Sequence, residues 1–405
     1  MSRKHVLHVI DALNHGGAQR LLVLLAEGID REHFEMSVCV IQPDLTLKLT
    51  LEKAAVRVLC LQRERPSILT PHRLLAYVYR NLRDLRAYCR HNAIDVVHCH
   101  LSDAEFLGIL AGRLASVGEL LTTVHYPALL PERSVWDLRN WLRRLWTKTI
   151  YHRWTDWVVA VSEETAAKLI RDFGIHNDRV RVILNGVNLA AFVRDGTRTA
   201  ALRQALKLAD RYPILVNVAR LAPPKGQKFL LEAINLLVPK FPELVLLLAG
   251  DGESRGALEE QCTRLGLDAH VRILGSRSDV AEILAMSDLF VFPSVSEGTS
   301  LALLEAMAAE RAVVATAIPG NQEVIRHQEN GYLVAPGHPA ELAHGISFLL
   351  EHPHLMRDYG ANARRFVQEH FDIRQTVADY EALWRSPRPG LRPKVARSPG
   401  YGVTD

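Results

Sequence analysis

Cysteine is scarce in this 405-residue chain. The five residues Cys39, Cys60, Cys89, Cys99 and Cys262 are scattered, odd in number and never spaced C-x-x-C. That argues against a disulfide framework or a zinc knuckle and for a reducing compartment. Long apolar runs are also missing, with no stretch near the ~20 residues of a membrane span. The N-terminal MSRKHVLHVIDALNHGG has its apolar run broken at once by Asp11, unlike a signal peptide. No internal repeat appears beyond an alternation of strand-like and helix-like segments.

What is present fits a soluble globular protein: 48% hydrophobic and 23% charged residues, over a length suited to two domains of about 200 residues each. Charge is uneven. Residues 1–190 hold 25 Lys and Arg against 20 Asp and Glu, residues 191–385 hold 20 against 24, and the last twenty hold 4 against 1. A basic first half and an acidic second half suit different partners, although solvated surface charge explains them as well.

Short β-rich apolar runs at 5–10, 96–100, 120–124, 157–161 and 180–184 recur in the second half at 214–219, 244–250, 271–275, 289–294 and 312–317. Helical periodicities at 18–29, 226–238, 254–265, 279–286 and 300–309 lie between such runs. This alternation predicts parallel sheets covered on both faces, and two series predict two doubly wound domains. The join falls near Asp195-Gly196-Thr197, giving a first domain of 1–195 and a second of 196–372. The end, SPRPGLRPKVARSPGYGVTD (386–405), has almost nothing to bury and is expected to be a disordered basic tail.

One residue breaks the pattern. Glu305 sits among Leu301, Ala302, Leu303, Leu304, Ala306 and Met307, on a helix apolar on every side and therefore expected to be buried. A carboxylate there is costly unless something hydrogen-bonds to it. Eight positions earlier Glu297 precedes the turn Gly298-Thr299-Ser300. Ser300 opens the helix with free backbone N–H groups, and Glu305 lies about 7.5 Å further along its axis. Phosphates want N–H donors and cations, while sugar hydroxyls want carboxylate acceptors, so this run suits a nucleotide sugar. A structural ion pair for Glu305 and an exposed turn position for Glu297 are the plainer alternatives.

Open α/β sheets bind ligands at the carboxyl ends of their strands. Two further loops lie there. HGGAQR (15–20) follows the first strand and precedes a helix, so Gly16 and Gly17 would let backbone approach an anion, or form only a tight turn. The run is not a dinucleotide fingerprint, because the third glycine and the following acid are absent. In NVARLAPPKGQ (217–227), Arg220 and Lys225 flank a rigid Pro223-Pro224 segment and a helix start, a seat suited to a diphosphate.

Ten segments in order across nearly the whole chain resemble family 4 of the retaining glycosyltransferases, which have the two-domain GT-B fold. They are GGAQR (16–20), VHCHLSDAEFLGILAGRLA (97–115), TTVHY (122–126), VSEET (161–165), VILNGVN (182–188), VARLAPPKG (218–226), AGDGE (249–253), ILGSRSDV (273–280), SDLFVFPSVSEGTSLALLEAMA (287–308) and NGYLV (330–334). Glu297 and Glu305 match the family's E-x7-E motif. The resemblance implies that Glu297 faces the donor hexose and Glu305 the ribose. It implies that Arg220 and Lys225 neutralise the diphosphate with the amides near Ser300 and Leu301, and that Gly16 and Gly17 approach from the other domain. His125 would stand beside the sugar, and Gly250 and Arg277 join the donor-binding set. A last helix within 373–385 would cross back to the first domain. Thr299-Ser300 and Pro319-Gly320 depart from the family pattern, which leaves the donor sugar open.

The expected reaction moves a hexose or N-acetylhexosamine from a UDP- or GDP-sugar to a hydroxyl of a lipid-linked or polysaccharide acceptor. No metal or other cofactor is expected, because no D-x-D occurs and fixed cations are available for the leaving group. His98 and His100 share one strand face and have metal-ligating chemistry, but no third ligand is evident nearby in the pattern, so a packed strand is favoured. Residues 138–153, with Leu138, Trp141, Leu142 and Leu145 on one stripe and Arg139, Arg143 and Arg144 elsewhere, suit an anionic membrane surface or a core-facing helix with a basic back. The expected location is cytoplasmic, with peripheral contact at the inner membrane face, and no nucleic-acid partner is expected. Rival readings are a nucleotide-sugar epimerase or phosphorylase on the same fold, or a catalytically silent nucleotide-binding subunit.

Overall fold

The computed structural model describes residues 3–67, 69–125, 138–193 and 195–386; for 138–143 it describes the backbone alone. The expected tail from 387 onward lies outside the described residues.

Two all-parallel sheets carry the architecture. The first contains β1 (Lys4–Ile10), β2 (Phe34–Val40), β3 (Arg57–Cys60), β4 (Val96–His100), β5 (Glu119–Val124), β6 (Trp157–Ala160) and β7 (Val180–Val182), in the order β3-β2-β1-β4-β5-β6-β7. The second contains β8 (Ile214–Val218), β9 (Val245–Ala249), β10 (Val271–Gly275), β11 (Leu289–Phe292), β12 (Ala312–Thr316) and β13 (Tyr332–Val334), in the order β10-β9-β8-β11-β12-β13. Helices link the strands and cover both faces, so each unit is a doubly wound Rossmann-like domain. Central strands such as β9, VLLLA, are buried at every position, as sheets covered on both sides require.

The expected strands all form, several of them one or two residues shorter at an end. β2, β3, the short β13 and the long helix Pro71–His91 are additions. The break in apolar pattern at 195–197 is a helix start. Asp195 caps Gly196–Ala205 by accepting from the amides of Thr197 (3.0 Å) and Arg198 (3.2 Å).

Strand order reverses between β1 and β4 in one sheet and between β8 and β11 in the other. Crevices open at such reversals, beyond the carboxyl ends of the strands. The segments after β1, β8 and β11 are 15–20, 220–227 and 297–301, so topology alone collects three of the candidate loops.

The chain returns to the first sheet at its end. Phe371 accepts from the Val187 amide (2.9 Å), and Val187 accepts from the Ile373 amide (3.2 Å). Gly186 makes this crossing possible, since a Cβ there would lie 2.6 Å from Ile373 Cα and 2.5 Å from Thr376 Oγ1. The helix Ile373–Arg385 then packs on the first sheet, with Trp384 fully buried and its ring centroid 5.6 Å from that of Phe34.

Candidate active site

The helix Leu301–Ala308 buries seven of its eight residues, Glu305 among them. Ser300 occupies the N-cap position without a side-chain capping bond, and the amides of Leu301, Ala302 and Leu303 donate to no protein group among the described residues. These amides carry the positive end of the helix dipole. The loop before the helix is held by the first domain. Asn185 Nδ2 donates to the Thr299 carbonyl (2.7 Å), and Thr299 Oγ1 donates to the Val161 carbonyl (2.7 Å). Gly320 permits a second close approach, because a Cβ there would meet the carbonyls of Glu297 and Gly298 at 2.6 Å.

Glu297 is not an exposed turn residue; it is 7% exposed. Its Oε1 accepts from Lys225 Nζ (2.6 Å) and Ser294 Oγ (2.8 Å), whereas Oε2 has no partner among the described residues. One oxygen is anchored and the other is free to accept from a ligand. Lys225 reaches it from a short 3₁₀ turn, Pro223–Lys225, closed by Gly226 at φ +70. A Cβ at Gly226 would strike the Pro293 carbonyl oxygen at 2.0 Å, so glycine is required on both counts. Two of the expected site residues are thus in direct contact.

Glu305 is 9% exposed, and its nearest cation is Arg20 on the first domain's helix Gly17–Gly28, with Nε 3.6 Å from Oε1. Burial pushes its carboxyl up to about 7, and the neighbouring Arg20 charge opposes that shift only in part. The structural pair anticipated for Glu305 therefore exists, and it spans the cleft.

Gly16 caps the helix Gly17–Gly28, and a Cβ added at Gly17 would meet nothing within 4 Å, so the turn is open to a ligand's approach. Arg220 is 61% exposed along its side chain and pairs with Glu253 (2.8 Å). Gly250, at φ +154, is explained by packing: a Cβ would lie 1.9 Å from the Ala219 carbonyl oxygen. Arg277 makes a two-pronged pair with Asp279 (2.8 and 2.5 Å) and contacts none of the other expected site residues by hydrogen bond or ion pair.

On the first domain, His125 follows β5, part-buried, with Nε2 3.1 Å from His100 Nδ1. His100 Nε2 lies 3.0 Å from His8 Nδ1. His8, His98 and His100 form a buried cluster of ligating nitrogens within 4.8 Å of one another, so the third histidine missing from the sequence pattern is His8, brought beside His98 by β1–β4 pairing. Yet His98 has both nitrogens engaged, Nδ1 by Trp384 Nε1 (3.4 Å) and Nε2 by Thr123 Oγ1 (2.7 Å). Indole N–H only donates, so the His98 Nδ1 lone pair is already used, and the set does not fit a metal. Burial holds His8 down at about 3 and His125 at about 4, so both are neutral at physiological pH.

Sequence reasoning missed Arg20, Ser294, Glu253 and His8. It also missed Glu323, whose carboxylate accepts from the Glu164 amide (3.1 Å) at the start of the helix Glu163–Phe173, across the domain boundary. For Arg20 a signal was present, a cation one turn into the helix that follows the Gly-Gly loop. In the 138–153 segment, Trp146 is half-exposed but stacks edge-on with Phe106 (5.5 Å), and Arg144 lies over the Phe173 ring (4.8 Å). The side chains of Leu138, Arg139, Trp141, Leu142 and Arg143 lie outside the described residues. No helix among the described residues is long and apolar enough to cross a membrane.

Two Rossmann-like domains facing each other, with helix N-termini, paired cations and buried carboxylates at their strand-reversal loops, define the GT-B class. Residues 15–191 match the model of Glycosyltransferase Family 4, and residues 199–366 that of Glycosyl transferases group 1. The putative glycosyltransferase EpsD of Bacillus subtilis (strain 168) is 30% identical over 341 residues, 80% of this chain and 86% of that protein. The Escherichia coli UDP-Gal:alpha-D-GlcNAc-diphosphoundecaprenol alpha-1,3-galactosyltransferase is 29% identical over 260 residues, 63% of this chain and 66% of that protein. Among solved structures, Anabaena HepE in complex with UDP-glucose aligns with a TM-score of 0.80 and 26% identity over 94% of this chain and 99% of that one. The chain belongs to the family 4, group 1 glycosyltransferases.

Proposed function

We propose that this glycosyltransferase moves a hexose or N-acetylhexosamine from a UDP- or GDP-sugar to a hydroxyl of a lipid-linked or polysaccharide acceptor, with retention of configuration and without a metal. The observation that carries the reading is the asymmetric Glu297 carboxylate. Oε1 is fixed by Lys225 and Ser294, while Oε2 has no partner among the described residues and is free to accept from the donor. As the glycosidic bond loosens, positive charge grows on the sugar and negative charge on the departing diphosphate. A fixed carboxylate stabilises the first; Lys225, Arg220 and the amides at Ser300 and Leu301 stabilise the second. Glu305 holds the ribose hydroxyls, Gly16 and Gly17 bring backbone to the phosphates, His125 stands beside the hexose, and Gly250 and Arg277 complete the donor site.

The donor class is supported by the UDP-glucose complex of the Anabaena protein and the UDP-galactose named for the Escherichia coli relative. The diphosphoundecaprenol in that relative's name supports a lipid-linked acceptor. In this reading residues 1–195 serve the acceptor, 196–372 the donor, and 373–385 tie the two together, with 386–405 a basic tail. The location is cytoplasmic, with 138–153 touching an anionic membrane face. A screen of UDP-, GDP- and ADP-sugars for thermal stabilisation and slow donor hydrolysis tests the proposal. Stabilisation and hydrolysis by one UDP- or GDP-sugar is the expected result. Interconversion of the sugar while it stays on the nucleotide would favour an epimerase, and binding without any turnover a silent subunit.

A further inference from the structure

The buried histidines do more than fill the first domain's core. We infer that His125 faces the cleft as a fixed hydrogen-bond donor, its Nδ1–H tautomer dictated by His100 and His8 behind it. Its meaning for catalysis rests on the proposed function, but the tautomer follows from the core alone.

Three imidazoles run inward from the cleft, His125 Nε2 to His100 Nδ1 (3.1 Å) and His100 Nε2 to His8 Nδ1 (3.0 Å). All are neutral, so each carries one proton, and each contact needs one donor and one acceptor. Only two arrangements satisfy both contacts. Either every ring is protonated at Nδ1, so that the chain donates outward from His8 and His125 shows an N–H to the cleft, or every ring is protonated at Nε2 and His125 shows a lone pair.

The far end of the chain decides between them. His8 Nε2 is completely buried and has no hydrogen-bond partner among the described residues. In the second arrangement that atom bears an N–H with nowhere to donate, and orphaned buried N–H groups are rare in native proteins. In the first it carries only an unused lone pair, the better tolerated of the two. The Nδ1–H arrangement therefore prevails in all three rings. At the cleft end, His125 Nδ1 has no partner among the described residues and its ring is only part-buried, so the N–H remains available to an oxygen of the ligand, a hexose hydroxyl or a phosphate.

His98 obeys the opposite rule on the same strand. Trp384 Nε1–H, from the crossing helix, must donate to His98 Nδ1, which leaves the His98 proton on Nε2 and aimed at Thr123 Oγ1. With ring centroids 4.4 Å apart, His98 and His100 are thus assigned opposite tautomers. His125 acts as a donor rather than a base, and His8 and His100 are positioning residues that never touch substrate.

The test is a long-range proton–nitrogen correlation spectrum of the full-length protein carrying nitrogen-15 histidine, at neutral pH. Single His→Gln variants at 8, 98, 100 and 125 assign the signals. The expected pattern is Nδ1–H at 8, 100 and 125 and Nε2–H at 98, with His125 keeping its Nδ1 proton when UDP-glucose is added. Nε2–H or a charged imidazolium at His100 or His125 would overturn the inference, as would stoichiometric zinc in the purified protein. The tautomers at 8, 100 and 125 are tied together through their two contacts, so if one variant fails to fold, either of the other two rings still decides the arrangement. The spectrum without ligand decides the tautomer whichever donor the enzyme uses, so failure here is separable from failure of the proposed reaction.

Discussion

The two walls of the cleft are built on the same fold but by opposite electrostatics. The second domain presents charges that are paired: Lys225 with Glu297 at 2.6 Å and Arg220 with Glu253 at 2.8 Å. The first presents His125 backed by imidazoles that burial keeps neutral. Pre-paired charges suit a ligand whose own charge is large and shifts during reaction, since they are oriented before it arrives. Neutral donors suit a hydroxylated ligand that must be recognised by direction. The pair Arg20–Glu305 is the exception, a charge contact between the walls, at 3.6 Å and set beside a largely desolvated carboxylate.

If the second wall is the phosphate seat, the double change Arg220→Ala with Lys225→Ala should produce the largest binding effect. A charge-assisted contact is worth about 1.5–3 kcal/mol, so UDP affinity measured by calorimetry should weaken at least tenfold. Because both cations are already paired with carboxylates, a loss at the low end of that range is expected. Unchanged affinity would place the diphosphate elsewhere.

Glu305→Gln sharpens the contrast through pH. The folded-state carboxyl sits at about 7 against the usual 4.5, so between these values the folded state binds its proton more tightly than the unfolded state. This group therefore favours folding at pH 5, and its contribution is lost as pH rises through 7. The Gln variant should be about as stable as the parent at pH 5 and more stable at pH 8, by about 1–3 kcal/mol. Thermal melts at the two values measure it. UDP affinity should fall at pH 8, where the parent's carboxylate is ionised. A variant less stable than the parent at pH 8 would mean that Arg20 matters more than burial.

These tests bear on how much the sequence could tell. Strand–helix alternation was readable because parallel strands covered on both faces are apolar throughout, as in VLLLA of β9. The edge strand β13, three residues long with two only part-buried, leaves no such trace. Glu305 stood out because a carboxylate in an all-apolar helix is a local anomaly. Its partner Arg20 did not, since a contact across 285 positions has no local signature. For the same reason His98 and His100 were visible on one strand while His8 was not. Its place depends on the register that sets His8 beside His98 between β1 and β4. The ion pairs of Arg220 and Lys225 were equally hidden, and they change what those cations do before a ligand binds.

A smaller effect is expected from chelation. With fixed cations stabilising the leaving group, turnover should stay within about twofold in EDTA. Loss of activity restored by Mg²⁺ or Mn²⁺ would show that the paired charges do not suffice. The membrane contact is tested separately. Reversing the charge of Arg143 and Arg144 should weaken binding to anionic vesicles by about 30-fold or more, since each basic residue near the surface contributes about 1 kcal/mol. Binding that ignores both the lipid charge and the reversal would remove the membrane contact.

The claim that joins these observations is that Glu297 acts on the changing charge of the reaction rather than on the resting donor. The direct measurement is Glu297→Gln with the donor identified by the screen, comparing kcat with the affinity for UDP. Interactions stronger in the transition state than in the ground state show in kcat alone. The expected result is a fall in kcat of about 10²–10³ with UDP affinity little changed. Full kcat and KM in that variant would contradict the account.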